Sequence, residues 1–258
     1  DPNLTFYFEF MAYEEVGLYE GWVNYNYCDW FNVKVGQQRV PTSRQALIHQ
    51  SDLSFGNRAF ESIDAWGVNS GFAVSRVDDR DKWDPTMAGS YDSTWNGVTQ
   101  SMGISLWNLY EEMFGTDMAA EYSMGIYNGN NAIDNNWLSP AIRLAVYPLG
   151  YIGLVEGDWT SASTPKFGLG VNYSNDVGTP SMNERATYYS WDAVFTWSGL
   201  YLTGEYHSNT YNAHGMSREQ QRQWFLEGGF MVMPQELELM LRYVTRGAPR
   251  TNATTMRK

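Results

Sequence analysis

Apolar and polar residues alternate along most of the chain, which is the pattern of β-strands with two chemically different faces. In one stretch, Phe167, Leu169, Val171 and Tyr173 share a face, while the residues between them are glycine and asparagine. The same alternation predicts about eleven strands, near residues 4–13, 17–28, 31–39, 66–76, 118–127, 140–147, 165–175, 188–198, 200–208, 223–233 and 236–245.

The connections between these strands differ in length. Ser198-Gly199 and Pro234-Gln235 predict tight turns, whereas 77–97 and 175–187 are long and polar. Strands of about ten residues with short turns and longer loops are typical of an outer-membrane β-barrel. Helical spacing occurs only in Ile104–Met113, which predicts a short helix within a long connection.

Composition favours a surface that is not entirely in water. Aromatic residues make up 16% of the chain and charged residues only 18%, against about a quarter in soluble domains. The net charge of −12 argues against a nucleic-acid partner, which requires a basic surface. Cys28 is the only cysteine and the three histidines form no ligand motif, so neither a disulfide within the chain nor a metal or other cofactor is expected.

A membrane-crossing chain of this sequence would cross as strands. The longest apolar run, Leu144–Val155, is interrupted by Pro148 and Gly150 and is shorter than the roughly 20 residues that a membrane helix needs. Aromatic side chains near predicted strand ends suit the two interfaces of a bilayer. They are Tyr25, Tyr27, Trp30, Tyr206, Tyr211 and Tyr243.

If the apolar face meets lipid, the opposite face lines an aqueous lumen, because an Arg or Lys in hydrocarbon costs about 2–4 kcal/mol. Strand parity predicts ten charged lining residues: Lys34, Arg143, Arg242, Glu9, Glu20, Glu121, Asp192, Glu205, Glu227 and Glu238. These charges either make the wall acidic or pair across strands. Parity also puts Arg39 on the lipid side at a strand end, from where it can extend to the headgroups.

The stretch Gly36–Pro41 is followed by Ser43-Arg44, Ser51–Phe55 and Asn57-Arg58. This order resembles the phosphate-selective porin O and P family, with its Gly-Gln-x-Lys-x-Pro strand end, Ser-Arg-Glu and Ser-x-x-Leu-x-Phe-x-x-Arg motifs. Later segments are similar to further family motifs, and the matches together span positions 31 to 245. They are Met124–Gly129, Gly204–Tyr206 and Leu237–Tyr243.

The resemblance implies a porin-like antiparallel transmembrane β-barrel of about 16 strands. It implies a homotrimer in the outer membrane of a Gram-negative bacterium, surrounded by lipid and lipopolysaccharide. Such a porin passes ions and small hydrophilic solutes, anions such as phosphate among them. The segment 41–65 would fold inward as the constriction loop. The constriction would carry Arg44, Arg58, His49 and Arg39.

The role of the two loop arginines has two readings. Arg44 and Arg58 either face the pore and bind anions, or pin the loop to the wall through Asp52 or Glu61.

This chain departs from the family pattern in charge and in length. Gln45 replaces the usual Glu, and the chain has four lysines and a net charge of −12, whereas the family's selectivity rests on a basic channel. We therefore expect a general or weakly selective porin whose anion preference depends on Arg44 and Arg58. Residues 1–258 are expected to form one barrel domain of an incomplete chain, because bacterial barrels have even strand numbers.

The alternative is a soluble β-sandwich of the glycan-binding or glycoside-hydrolase type, whose tryptophans would stack on sugars. No catalytic residues are predicted. His207 and Ser208 are adjacent on a strand and point to opposite faces, so they cannot form a nucleophile–base pair. Glu111 and Glu112 diverge in the same way and are a poor catalytic dyad.

Overall fold

The computed structural model describes residues 1–13, 15–55, 59, 100–128, 138–177, 185–212, 219–246 and 250–251. The strands are β1 Leu4–Tyr13, β2 Glu15–Cys28, β3 Phe31–Arg39, β4 Gln100–Tyr110, β5 Ala119–Asn128, β6 Leu138–Tyr147, β7 Lys166–Val177, β8 Arg185–Trp197, β9 Leu200–Asn212, β10 Glu219–Met233, β11 Leu237–Arg246 and β12 Arg250–Thr251. Helical structure is limited to α1 (Arg44–Leu47) and 3₁₀ turns at Gln50–Asp52 and Met113–Gly115. No helix in these ranges has the length and apolar character needed to cross a bilayer.

The strands form one antiparallel sheet in which β1 to β11 follow one another in sequence order. The short β12 pairs with the start of β10, at Glu219 and Gln220, beyond the end of β11. Within the described residues β1 pairs only with β2, and β11 only with β10, so the sheet is not closed. This order places successive connections at opposite ends of the sheet, and we call the end with the turns at 29–30, 198–199 and 234–236 the hairpin end.

The predicted all-β antiparallel fold is confirmed, and ten of the predicted strands correspond to β1–β3 and β5–β11. The predicted strand near 66–76 lies outside the described residues. The predicted helix at Ile104–Met113 is wrong, because β4 runs through it to Tyr110. The tight turn at Ser198-Gly199 has φ angles of 49° and 86°, which suit the two-residue turns that match strand twist.

The two faces of the sheet have the reverse of the usual burial. Large apolar side chains are exposed on one face, including Leu239 at 64% and Leu241 at 78%. The opposite face is buried and carries charged and amide groups, among them Arg143 at 1% and Asp192 at 2% exposure. We call these the apolar face and the polar face.

Two connecting segments cover the polar face. Segment 40–55 follows β3, and segment 148–165 joins β6 to β7 from the hairpin end. In the first, Ser43 caps α1 by accepting a hydrogen bond from Ala46 N at 3.0 Å. In the second, Ile152 packs with Tyr147 and Tyr201 in a small buried apolar cluster. These two connections therefore bury part of the polar face.

Candidate functional site on the polar face

Arg44 joins the two segments. Its Nη2 donates to the carbonyl oxygens of Gly153 at 2.5 Å and Val155 at 3.2 Å, and Nη1 lies 3.5 Å from that of Ile152. The side chain is 1% exposed. Burial lowers the pKa of the Arg44 guanidinium, but the neighbouring tyrosines and Asp192 raise it above its ordinary value overall. Arg44 is thus a permanently charged crosslink between loops.

Glu156 is the second junction between the segments. Its Oε1 accepts from Gln45 Nε2 at 2.6 Å and its Oε2 from Ser54 N at 2.8 Å. Its backbone N donates to Asp52 O at 3.0 Å. The side chain is completely buried, so this carboxylate holds segment 40–55 against segment 148–165.

Side chains of β8, β9 and β11 also bind Glu156 or segment 40–55. Arg242 on β11 lies 3.3 Å from both oxygens of Glu156 and also pairs with Glu227 on β10. On β9, Glu205 accepts from Gln45 N at 2.7 Å. Ser190 on β8 donates to Thr42 O at 2.7 Å. The contacts fix segment 40–55 on the part of the polar face formed by β8 to β11.

Glu205 also belongs to a chain of titratable groups. His207 Nε2 lies 3.0 Å from Glu205 Oε2, and its Nδ1 contacts the Tyr188 hydroxyl. All three side chains are buried. The group connects two strands to α1, and Ser208 is not part of it, since adjacent residues of a strand point to opposite faces.

Arg143 on β6 forms a buried ionic network. It donates to Glu121 Oε1 at 2.9 Å, to Asn172 Oδ1 at 2.9 Å and to Asp192 Oδ2 at 2.6 Å. The partners come from β5, β7 and β8, so the network runs across four neighbouring strands. Here the charges pair across strands, which was one of the two alternatives for the lining residues.

Segment 40–55 is also attached to the first strands. Arg39 Nε pairs with Glu20, and its Nη1 donates to Leu47 O at 2.9 Å. His49 Nε2 lies 3.1 Å from Glu9. The parity assignment of Arg39 to the apolar side is wrong, because its long side chain reaches from the strand end to Glu20 on the polar face.

Lys34 lies among aromatic side chains on the same face. Its Nζ is 4.5 Å from the ring centroid of Trp22 and 5.1 Å from that of Trp107. Tyr7 stacks on Trp22 with centroids 5.2 Å apart. Trp107 Nε1 donates to Asn24 Oδ1 at 2.8 Å, which fixes this indole.

The structure thus separates the residues predicted for the constriction. Arg44 binds loop carbonyls, Arg39 and His49 pair with acidic residues of β2 and β1, and Arg58 lies outside the described residues. Of the predicted loop 41–65, residues 41–55 and 59 are described. Of the predicted lining residues, Glu238 is partly buried, with an oxygen close to Gly157.

Sequence reasoning missed Glu156 and the two tryptophans. Segment 148–165 has the composition of an ordinary loop, and nothing in it signals that it folds over the sheet. Trp107 was hidden because Ile104–Met113 was interpreted as a helix. When Ile104–Tyr110 is treated as a strand, Trp107 falls on the polar face with Ser105, because residues two apart share a face.

The residues of the polar face described above form hydrogen bonds and ion pairs with one another. In the part of the chain that the structure describes, no three histidine, cysteine or carboxylate residues are grouped to hold a metal ion. Cys28 is exposed. The charged side chains of the polar face form buried ion pairs such as Arg143–Asp192 and Arg242–Glu227. No protein-family model, curated protein or solved structure matches this chain.

Proposed function

We propose that this protein is an outer-membrane porin that provides a water-filled path for passive diffusion of ions and small hydrophilic solutes. In this proposal the antiparallel sheet is part of a closed barrel of about 16 strands in the outer membrane of a Gram-negative bacterium. The barrel associates as a homotrimer. The polar face lines the lumen, and segment 40–55 narrows it.

The observation that carries the proposal is the reversed burial of the two faces. Leu239, Leu241 and Phe8 are each at least 60% exposed, while Arg143, Asp192 and Glu205 are almost completely buried. An apolar surface that spans eleven strands is far larger than the patches that soluble monomers expose. Hydrocarbon is the solvent that such a face fits, and the charged residues then avoid it.

Two groups of exposed and partly exposed aromatic side chains support the same placement. One forms a row across β7 to β11, with Trp191 stacked on Tyr206 at 5.7 Å and Trp224 beside Tyr243 at 5.4 Å. It continues to Tyr173 and Tyr189, which pair across β7 and β8. The other group lies at the hairpin end and contains Tyr27, Trp30, Phe114 and Trp197. Aromatic girdles of this kind flank the apolar band of membrane barrels.

The distance spanned by the apolar face also suits a bilayer. On β10, Trp224 belongs to the aromatic row and Val232 lies at the hairpin end. These positions are about 26 Å apart along a strand, or roughly 20 Å in height at a tilt of about 40°. The apolar band of outer-membrane barrels is about 25 Å tall.

Planar-bilayer recording tests the proposal. Protein purified in detergent should insert and give discrete conductance steps, and trimers should insert as groups of three equal steps. The absence of any steps from folded protein would overturn the pore. A protein that remains monodisperse after detergent removal would instead favour the soluble glycan-binding alternative, because an apolar face of this size aggregates in water.

A further inference from the structure

Lys34 differs from the other basic groups whose side chains the structure describes on the polar face. Arg39, Arg143 and Arg242 pair with carboxylates, Arg44 binds carbonyl oxygens, and Lys166 donates to Tyr151 O at 2.9 Å. The Lys34 ammonium makes no hydrogen bond or ion pair with a residue in the described ranges, although its backbone carbonyl oxygen accepts from Gln38 Nε2 at 3.2 Å. Among these basic groups, Lys34 is therefore the one whose charged end is held by neither a hydrogen bond nor an ion pair in the described ranges.

The surroundings of Lys34 hold the ammonium group without neutralising it. Trp22 and Trp107 attract a cation through their ring faces, at 4.5 Å and 5.1 Å from Nζ, but they carry no net charge. Glu20, which acts on Lys34 electrostatically, already binds Arg39 and the Trp22 indole N–H. Among the residues that the structure describes, no carboxylate forms an ion pair with Lys34 Nζ, so none of them competes there with an anion from solution.

Lys34 is also accessible, in contrast to the predicted constriction arginine. Lys34, Trp22 and Trp107 are partly exposed, whereas Arg44 and Arg143 are each 1% exposed. In the described ranges, the Lys34 ammonium has no hydrogen bond or ion pair that an incoming anion would have to break. Arg44 would first have to release its carbonyl partners on segment 148–165.

The two indoles are fixed before any ligand arrives. Trp107 Nε1 donates to Asn24 Oδ1 at 2.8 Å, and Trp22 Nε1 donates to Glu20 Oε2 at 3.3 Å. If the anion carries a ring, that ring would contact an aromatic surface that is already ordered. Such surfaces gain affinity because little side-chain ordering remains to be done.

We propose that Lys34, Trp22 and Trp107 form a binding subsite for an organic anion whose carboxylate is attached to a ring. The carboxylate pairs with Lys34 Nζ, and the ring lies against the Trp107 indole, because Tyr7 already stacks on Trp22. The subsite adds a ligand class to the proposed function, and its role in transport rests on that function. A strongly hydrated inorganic ion gains only the charge contact, so the subsite favours the organic anion over phosphate.

Equilibrium binding to the detergent-solubilised protein tests the subsite without requiring a pore. Benzoate, glucuronate and inorganic phosphate are titrated separately while intrinsic tryptophan fluorescence is followed. We expect saturable binding of at least one of the two carboxylates and weaker binding of phosphate. In Lys34→Met the affinity for the carboxylate should fall about tenfold, as expected for loss of a charge-assisted contact.

Lys166→Met is the matched control, since it removes the same charge from a lysine that donates to a backbone carbonyl. It should change the affinity less than about twofold. Trp107→Leu keeps the charge and should weaken carboxylate binding while leaving phosphate binding unchanged. Circular dichroism of each variant verifies that the sheet is retained.

The outcomes separate the subsite from the pore. Equal loss in the Lys34 and Lys166 variants, or no saturable binding of either carboxylate, overturns the subsite even if conductance steps are present. Phosphate binding as tight as carboxylate binding overturns the role of the ring. Binding that depends on Lys34 in a protein without conductance supports the subsite and counts against the porin. Benzoate and glucuronate together show whether the ring is aromatic or a sugar.

Discussion

At the scale of single residues, the polar face depends on charges that are buried together with their partners. Arg143 contacts Glu121 and Asp192, and all three come from different strands. Removal of one member of a buried ion pair typically costs about 3–5 kcal/mol, because the remaining charge has no partner. The network is therefore a place where a single substitution has a large effect.

Arg143→Met is expected to lower the free energy of unfolding by about 3 kcal/mol or more. Asp192 would remain buried without its main cation. Urea titration in detergent, followed by tryptophan fluorescence, measures the change. Arg222→Met is the control, since Arg222 is exposed and donates to the nearby amide oxygen of Gln220. Addition of Asp192→Leu to the Arg143 variant should restore part of the loss, and a further large loss would contradict this account.

Gly36 is a position at which only glycine fits without strain. Its φ of +132° is rare for side-chain-bearing residues, and a Cβ would lie 2.8 Å from Trp22 Cα and against Gly21 O. We expect Gly36→Ala to destabilise by about 2 kcal/mol, within the range for strained backbone positions. Gly153→Ala, where a Cβ meets nothing within 4 Å, should be nearly neutral in the same urea titration. Equal effects would show that the close approach is not the cause.

At the scale of elements, segments 40–55 and 148–165 lie across the sheet and contact each other. Glu156 is the central contact, since it binds Gln45, Ser54 and Arg242. Hydrogen bonds to a charged group are worth about 1.5–3 kcal/mol. The position of segment 40–55 is therefore set by a side chain that lies more than a hundred residues later in the chain.

Glu156→Gln should loosen segment 40–55, because one amide cannot accept from all three donors. The measurement is the rate of trypsin cleavage after Arg44, followed by mass spectrometry in detergent. Since Arg44 is buried in the native protein, cleavage there reports local release, and we expect a rise of roughly tenfold or more. Glu236→Gln, in the exposed turn before β11, is the control. An unchanged rate in the Glu156 variant would contradict the junction.

The strands were predictable from sequence because apolar and polar residues alternate clearly when only one face of a strand is apolar. Between Gly168 and Ser174, β7 follows the rule at every position, with Leu169 and Val171 exposed and Asn172 buried. β4 escaped prediction because Trp107 and Leu109 add apolar residues to its polar face. Apolar residues on both faces erase the alternation and leave spacings that imitate a helix.

The charges of the candidate site were predictable by type and face, but their partners were not. Parity put Glu205, Glu227 and Arg242 on one side, and the structure places them there. Which carboxylate meets which arginine depends on segment 148–165, whose path no local signal encodes. Arg39 shows a second limit, since a long side chain at a strand end can reach either face.

At the scale of the whole molecule, the solvent around the exposed apolar face, water or hydrocarbon, distinguishes a soluble protein from a membrane protein. Leu241 is 78% exposed. If this face meets water, Leu241→Arg should change stability by no more than about 0.5 kcal/mol. If it meets hydrocarbon, the change should cost about 2–4 kcal/mol.

Refolding of Leu241→Arg into lipid vesicles, with urea titration of the folded protein, measures this cost. We expect a loss of about 2–4 kcal/mol. Gln235→Arg, in the exposed turn at the hairpin end, should have little effect because a guanidinium there reaches water. A loss below about 0.5 kcal/mol for Leu241→Arg would contradict the membrane placement.

The sequence-order arrangement of the strands also has a consequence for the order in which they assemble. Each connection from β4 to β11 is 18 residues or shorter, while β3 and β4 are separated by residues 40–99. Closing that connection costs roughly 3 kcal/mol more entropy than closing a two-residue turn. We therefore expect β4–β11 to acquire amide protection first and β1–β3 to dock later. Pulsed hydrogen exchange during refolding would reveal two kinetic phases, and simultaneous protection of all strands would rule this order out.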